Sequence, residues 1–136
     1  MKLKTIKTSE LEGAALDGAV AKAVGVTRPE IGDDGSLQKR PRIFCTAGGG
    51  MGTMPYKMEY RPSTDWSVGG PLIADGVYML CRQNPLFPIP VGTEGWIAAH
   101  EGLPLLFDGP TPLIAACRAI VAAKLGDEVE VPEELV

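Results

Sequence analysis

The stretch "GPTPLIAACRAIVAAKLGDEVEVP", residues 109–132, decides the fold class. Thr111 has the side chain of an N-cap, and Pro112 falls at the first helical position, where a missing N–H costs no bond. Gly126 supplies the stop. The pattern predicts a helix over 112–125, about 21 Å long at 1.5 Å per residue. Only Arg118 and Lys124 interrupt its apolar surface. Such a helix is either the centre of a core or a contact between subunits. Ala115, Ala116, Ala119, Ala122 and Ala123 gather on one side, where small side chains let a partner element come close. "EVEVP" then alternates like an edge strand ended by Pro132, and "EELV" reads as a frayed tail.

Working outward, "SELEGAALDGAVAKAVG" at 9–25 predicts a second helix over about 10–24. Ser9 and Glu12 have the spacing of a capping box, and Gly25 is the terminator. "KLKTIK" before it alternates loosely and suits a short strand. Residues 26–40 are polar, carry Pro29, Gly32 and Gly35, and read as loop. "PRIFCT", "KMEYRP" and "GWIAAHE" are strand candidates. "PLIADGVYMLCRQ" suits a strand pair turning at Asp75-Gly76, or one bulged strand. "NPLFPIPVGTEG" is expected to be extended loop. Two helices against short, mostly antiparallel strands make a single α+β domain spanning 1–136.

Composition narrows the function classes. The 136 residues are 45% hydrophobic and 22% charged, ordinary for one globular domain. A net charge of −4 argues against a nucleic-acid partner. Lys39, Arg40 and Arg42, with Lys2, Lys4 and Lys7, form solvated faces or, alternatively, a phosphate contact. No apolar run reaches the ~18 residues of a membrane span and no leader pattern opens the chain, so a cytoplasmic location is expected. Cys45, Cys81 and Cys117 form no CxxC, and His100 is the single histidine. That pattern predicts reduced thiols, no metal site and no cofactor. Cys45, bordering the glycine-rich stretch, should be the most accessible thiol.

Candidate site residues are few. "AGGGMGTM" lacks both the dinucleotide and the Walker patterns, so it is a loop tip or a cradle of backbone N–H groups. His100 could act as an acid–base group, but no motif nominates a carboxylate to support it, and no catalytic residue is assigned. Asp17 shares a helical arc with Gly13, Val20 and Val24. Arg118 lies between Ile114, Val121 and Leu125. Charges at such positions snorkel to water, pair to hold the fold, or form the polar floor of a ligand pocket. In "PSTDWSVGGPLI", residues 62–73, Ser63 or Thr64 would cap a single turn carrying Asp65 and Trp66. Gly69-Gly70 would break that turn and Pro71 launch a strand. Trp66 is then a core plug or a ring for stacking a ligand. Asp17, Asp65, Trp66 and Arg118 are the ligand-binding candidates.

"LDGAVAKAVG", "YRPSTDWSVGGPLI" and "GPTPLIAACRAIVAAKLGDEVEVPEEL" resemble, in order and spacing, the phage NinX family of small proteins of unknown function. The shared positions are Asp17, Ser63, Thr64, Asp65, Trp66, Gly69, Gly70, Pro71, Thr111, Pro112 and Arg118. The chain departs from the family at Gly18, where tryptophan usually follows the aspartate, and over residues 26–58. The resemblance implies a phage or prophage product acting in the bacterial cytoplasm, and it supplies no reaction. Three readings follow. The first is a non-enzymatic binding protein for a small anionic or nucleotide-like ligand or a host factor. The second is a small enzyme on a phosphorylated or nucleotide substrate. The third is an assembly module packing through its last helix. That helix also leads us to expect a homodimer or higher oligomer.

Overall fold

The computed structural model describes residues 2–26, 29–47, 51–82, 95–103 and 105–136. In chain order the elements are β1 (Leu3–Lys7), a 3-10 turn (Thr8–Glu10), α1 (Gly13–Val24), β2 (Glu30–Asp33), β3 (Pro41–Ala47) and β4 (Tyr56–Glu59). Then come α2 (Trp66–Ala74), β5 (Val77–Arg82), β6 (Trp96–His100), β7 (Leu106–Gly109), α3 (Pro112–Leu125), β8 (Glu128–Pro132) and a closing 3-10 turn (Glu133–Leu135). The strands form three small antiparallel sheets, β1-β8, β2-β3-β4 and β5-β6-β7. The chain is a small α+β domain.

The predicted C-terminal helix has the predicted limits. Thr111 Oγ1 accepts from the Ile114 N–H at 3.2 Å, and Gly126 closes the last turn onto Ala122. Residues 115–122 are all buried, and Lys124 is the only exposed position of α3. The helix packs against α1, α2, β5, β6, β7 and β8. Its alanine side, Ala115, Ala116, Ala119 and Ala122, meets Ala98 and Phe107 of the β5-β6-β7 sheet. Gly109 sits so close to α3 that an added methyl group would lie 2.6 Å from the Ala115 nitrogen. On the other side Cys117 and Val121 join Leu16, Val20, Ile43 and Val131. The close partner of the small residues is therefore a strand of the same chain. The apolar composition of α3 is accounted for within one protomer.

The N-terminal end differs from its sequence signal. α1 begins at Gly13, Glu12 is the N-cap without a side-chain cap bond, and Ser9 lies in the 3-10 turn. Thr8 explains the detour. Its N–H donates to Asp127 and its hydroxyl to Gly126, both at 2.7 Å, fastening the start of the chain to the end of α3. A long-range bond has won over a local capping box. Residues expected to be loop contribute β2, and β7 carried no sequence signal. "EELV" is held down by buried Leu135.

The central segment holds the largest correction. Residues 66–74 are one helix through Gly69-Gly70-Pro71. Asp65, rather than Ser63 or Thr64, is the cap, accepting from the Ser67 N–H and hydroxyl at 3.0 and 2.7 Å. Pro71 lies inside this helix and costs it the bond that an N–H would make to the Ser67 carbonyl, so the contacts of α2 with α3 and β5 must offset the loss. Asp75-Gly76 joins helix to strand and turns no hairpin. The extended reading of "NPLFPIPVGTEG" and the center of the glycine-rich stretch, residues 48–50, lie outside the described residues.

Candidate functional site

Arg118 is buried in the middle of α3. Its Nε donates to the Leu11 carbonyl and its Nη1 to the Asp108 carbonyl, both at 2.8 Å. The guanidinium thus ties the entry to α1 and the end of β7 to the hub helix. A charge taken out of water is tolerated there because polarised carbonyls replace its hydration.

Asp17 is buried on α1, and its Oδ1 accepts from the Ser63 N–H at 3.0 Å. Burial pushes its carboxyl above the ordinary carboxylate range. The Ser63 groups, and then Arg42 and Arg61, pull the other way without overturning it. The Ser63 hydroxyl lies near enough to favour the charge, yet it has no partner in hydrogen-bond geometry. We read its support as electrostatic. Burial also pushes Tyr60 next to this cluster up to about 12, with Cys117, Cys45 and Asp17 adding to the effect.

Asp17 and the turn over residues 62–65 are therefore brought together, and Asp65 follows directly at the head of α2. Bonds to Ser67 hold the Asp65 carboxyl below the usual carboxylate range. Trp66, at 55% exposure, plugs no core. The bonds of Arg118 run instead to the carbonyls of Leu11 and Asp108, outside this group. Sequence reasoning missed Glu59 and Arg61, and took Arg42 as part of a basic face or a phosphate contact rather than as the partner of a carboxylate. Glu59 Oε1 lies 3.0 Å from Arg42 Nε and 3.6 Å from Arg61 Nε. The Arg42 contact is off-line for a hydrogen bond, so it counts as a Coulombic pair. The i, i+2 spacing of Glu59 and Arg61 was the available signal, although β4 itself ends at Glu59.

His100 is buried, with Nδ1 accepting from the Gly102 N–H at 3.0 Å. Gly76 lies against its Nε2 closely enough that an added methyl group would overlap the ring. Among the described residues no group of three His, Cys, Asp or Glu side chains is placed to hold a metal ion. No helix among them is long and apolar enough to cross a membrane. Cys45 and Cys117 are buried and Cys81 is partly exposed, so the expected order of thiol access is reversed for Cys45.

None of these side chains lines the groove of about 520 Å³ that runs between α1, β2 and β8. Its floor is apolar, formed by Gly18, Ala19, Ile43, Val131 and Leu135. Four exposed charges, Lys22, Glu30, Glu130 and Glu134, stand at its mouth. Gly18 leaves the floor open, since a methyl group there would touch Ile43 Cδ1 at 3.3 Å and Leu135 Cδ1 at 3.4 Å. The sequence signal for this groove was weak, because it is assembled from residues more than a hundred positions apart.

No curated protein matches the chain. The family described as "Bacteriophage P22, NinX" matches over residues 7–124, a range that includes 26–58. That span takes in α1, the Asp65-capped helix and α3 with Arg118, and the chain belongs to the phage NinX family.

Proposed function

We propose that this phage-family chain is a non-enzymatic binding protein that engages a host protein through the groove between α1, β2 and β8. The observation that carries the reading is the groove itself, an apolar floor of useful size under a charged mouth. The mouth holds three carboxylates against one ammonium, which favours an apolar or basic occupant over an anion. The polar residues that could serve chemistry are engaged elsewhere. Arg118 holds two carbonyls, Asp17 holds a turn, Asp65 caps a helix and His100 accepts from Gly102. Trp66 remains on the surface as a large ring available to a partner.

Nile red, a neutral apolar dye, tests the groove. The native protein should enhance its fluorescence saturably. Gly18→Leu, checked for native helix content, should abolish the enhancement, because its side chain starts among the Ile43 and Leu135 side chains of the floor. Unchanged dye binding by Gly18→Leu would remove the groove from the reading.

A further inference from the structure

We infer that the groove receives an extended segment of a partner protein, alternating apolar and basic residues, which adds to the molecule as a β-strand. The inference rests on the reading of the groove as the binding face, and it specifies how the partner is held.

Two strand edges meet at this groove. β2 is the end strand of β2-β3-β4, and β8 has β1 as its one strand neighbour among the described residues. Each therefore has an edge without a strand partner in the described structure. Side chains of a strand alternate between its two faces, so a cavity lying against a face touches every second residue. This groove touches Val129, Glu130, Val131 and Pro132 in succession on β8, and Pro29, Glu30 and Ile31 in succession around β2. Consecutive lining residues mean that the cavity lies alongside the strands, where main-chain groups are presented. β8 alone offers about 17 Å of edge over five residues, at ~3.4 Å each. A strand added there gains main-chain hydrogen bonds, and its alternate side chains enter the apolar floor.

Charge selects the class of segment. β8 places Val129 and Val131 inward and leaves Glu130 exposed, and Glu134 follows beyond it. Glu30, across the groove, is already paired to Lys57 at 2.6 Å. The unpaired carboxylates thus lie along the β8 side, and Lys22 is the single opposing charge of the mouth. A segment with lysine or arginine at every second position would set its apolar residues on the floor and its cations beside Glu130 and Glu134.

The probe is a blocked peptide of about ten residues, long enough to span β8, alternating valine and lysine. Three comparisons accompany it: the valine–glutamate peptide, the valine–lysine peptide N-methylated at alternate residues, and the Glu130→Gln, Glu134→Gln double variant. Binding is read by fluorescence anisotropy, and its place by amide hydrogen exchange. The N–H groups of Val129 and Val131 already point to β1, so the free edge of β8 presents those of Glu128 and Glu130. The expected result is saturable binding with slowed exchange at Glu128, Glu130 and Ile31. Glutamate, N-methylation and the double variant should each weaken it by about tenfold or more, equivalent to about 1.4 kcal/mol. Full binding by the N-methylated peptide overturns strand addition, and equal binding of the glutamate peptide overturns the charge assignment. A valine–lysine peptide that fails to bind while Nile red still binds sinks this inference and leaves the groove reading intact. Failure of both sinks both. Slowed exchange at the same amides in peptide-free protein, growing with protein concentration, would assign the edges to a second copy and overturn a foreign partner.

Discussion

At the scale of single residues, the informative contrast is between Arg118 and Asp17. Both are buried charges, and both bond to main chain rather than to a ligand floor. Replacing Arg118 by methionine keeps the apolar stem and strips donors from the Leu11 and Asp108 carbonyls. The expected loss is on the order of 3 kcal/mol, visible as a lowered urea midpoint. A variant with the native midpoint would return Arg118 to the role of a ligand group. For Asp17 the sign runs opposite to that of a surface carboxylate. Burial raises its folded pKa above the ordinary 3.8, so the folded state holds the proton more tightly than the unfolded chain does. Its ionised form opposes folding at neutral pH, and that penalty fades as the pH falls through the raised value toward 3.8. Asp17→Asn keeps an acceptor for the Ser63 N–H without the charge. It should be at least as stable as the native chain at pH 7, with the difference shrinking in acid. Asp17→Ala leaves that N–H buried and unpaired and should cost about 1–3 kcal/mol. Thermal melts of both variants from pH 7 to 4 check the pair, and an Asn variant as damaged as the Ala variant would disprove the account. The sequence marked these two residues correctly as anomalies, because a charge on an apolar helical stripe is visible without coordinates. Their partners were not visible. Leu11 and Asp108 act through carbonyls, which every residue owns.

At the scale of elements, legibility followed how local the controlling contacts are. α3 was readable to its ends because its cap, first-turn proline and terminal glycine act within a few residues. Thr111→Ala should therefore cost about 1 kcal/mol, a full cap's worth, by chemical denaturation. A negligible change would mean that tertiary packing alone fixes the start of α3. α2 was unreadable for the opposite reason. Glycine and proline break helices in isolation, yet here Gly69 is where α2 presses on the turn that Asp17 holds. A methyl group at Gly69 would overlap the Pro62 carbonyl and lie 2.8 Å from Leu113 Cδ2. Close packing overrides propensity, and the signal "GG" means contact rather than a break. Gly69→Ala should destabilise strongly, by several kcal/mol, despite alanine's better helix propensity. Gly70 makes no such approach, with only Trp66 Cε3 at 3.9 Å. Gly70→Ala should be neutral or mildly stabilising. Equal effects at the two positions in a melting comparison would refute the close-packing explanation.

At the scale of the whole molecule, α3 joins the β5-β6-β7 sheet to the cluster built from α1, β3 and β8, since it carries core residues on opposite sides. β1-β8 and the Thr8 bonds then close the chain's two ends onto it. Small sheets of two or three strands are marginal alone, so their stability must come from the helices packed on them, α3 on β5-β6-β7 and α1 on β3 and β8. The thiols report the consequence. Cys117 is in the hub, buried, with its pKa pushed to about 12 by burial and, secondarily, by Asp17. Opening it to a reagent requires α3 to leave both sides of the core. Its labelling rate in native buffer should therefore track global unfolding and rise with urea along the same slope as the equilibrium transition. Cys45 is buried on β3 with its thiol also pushed up by burial, and should label slowly. Cys81, partly exposed on β5, should react first and with little dependence on urea. Mass spectrometry of singly labelled peptides over a urea series measures all three. If Cys117 reacted as fast as Cys81 without denaturant, α3 would open independently of the sheets around it, and the molecule would not unfold as one body.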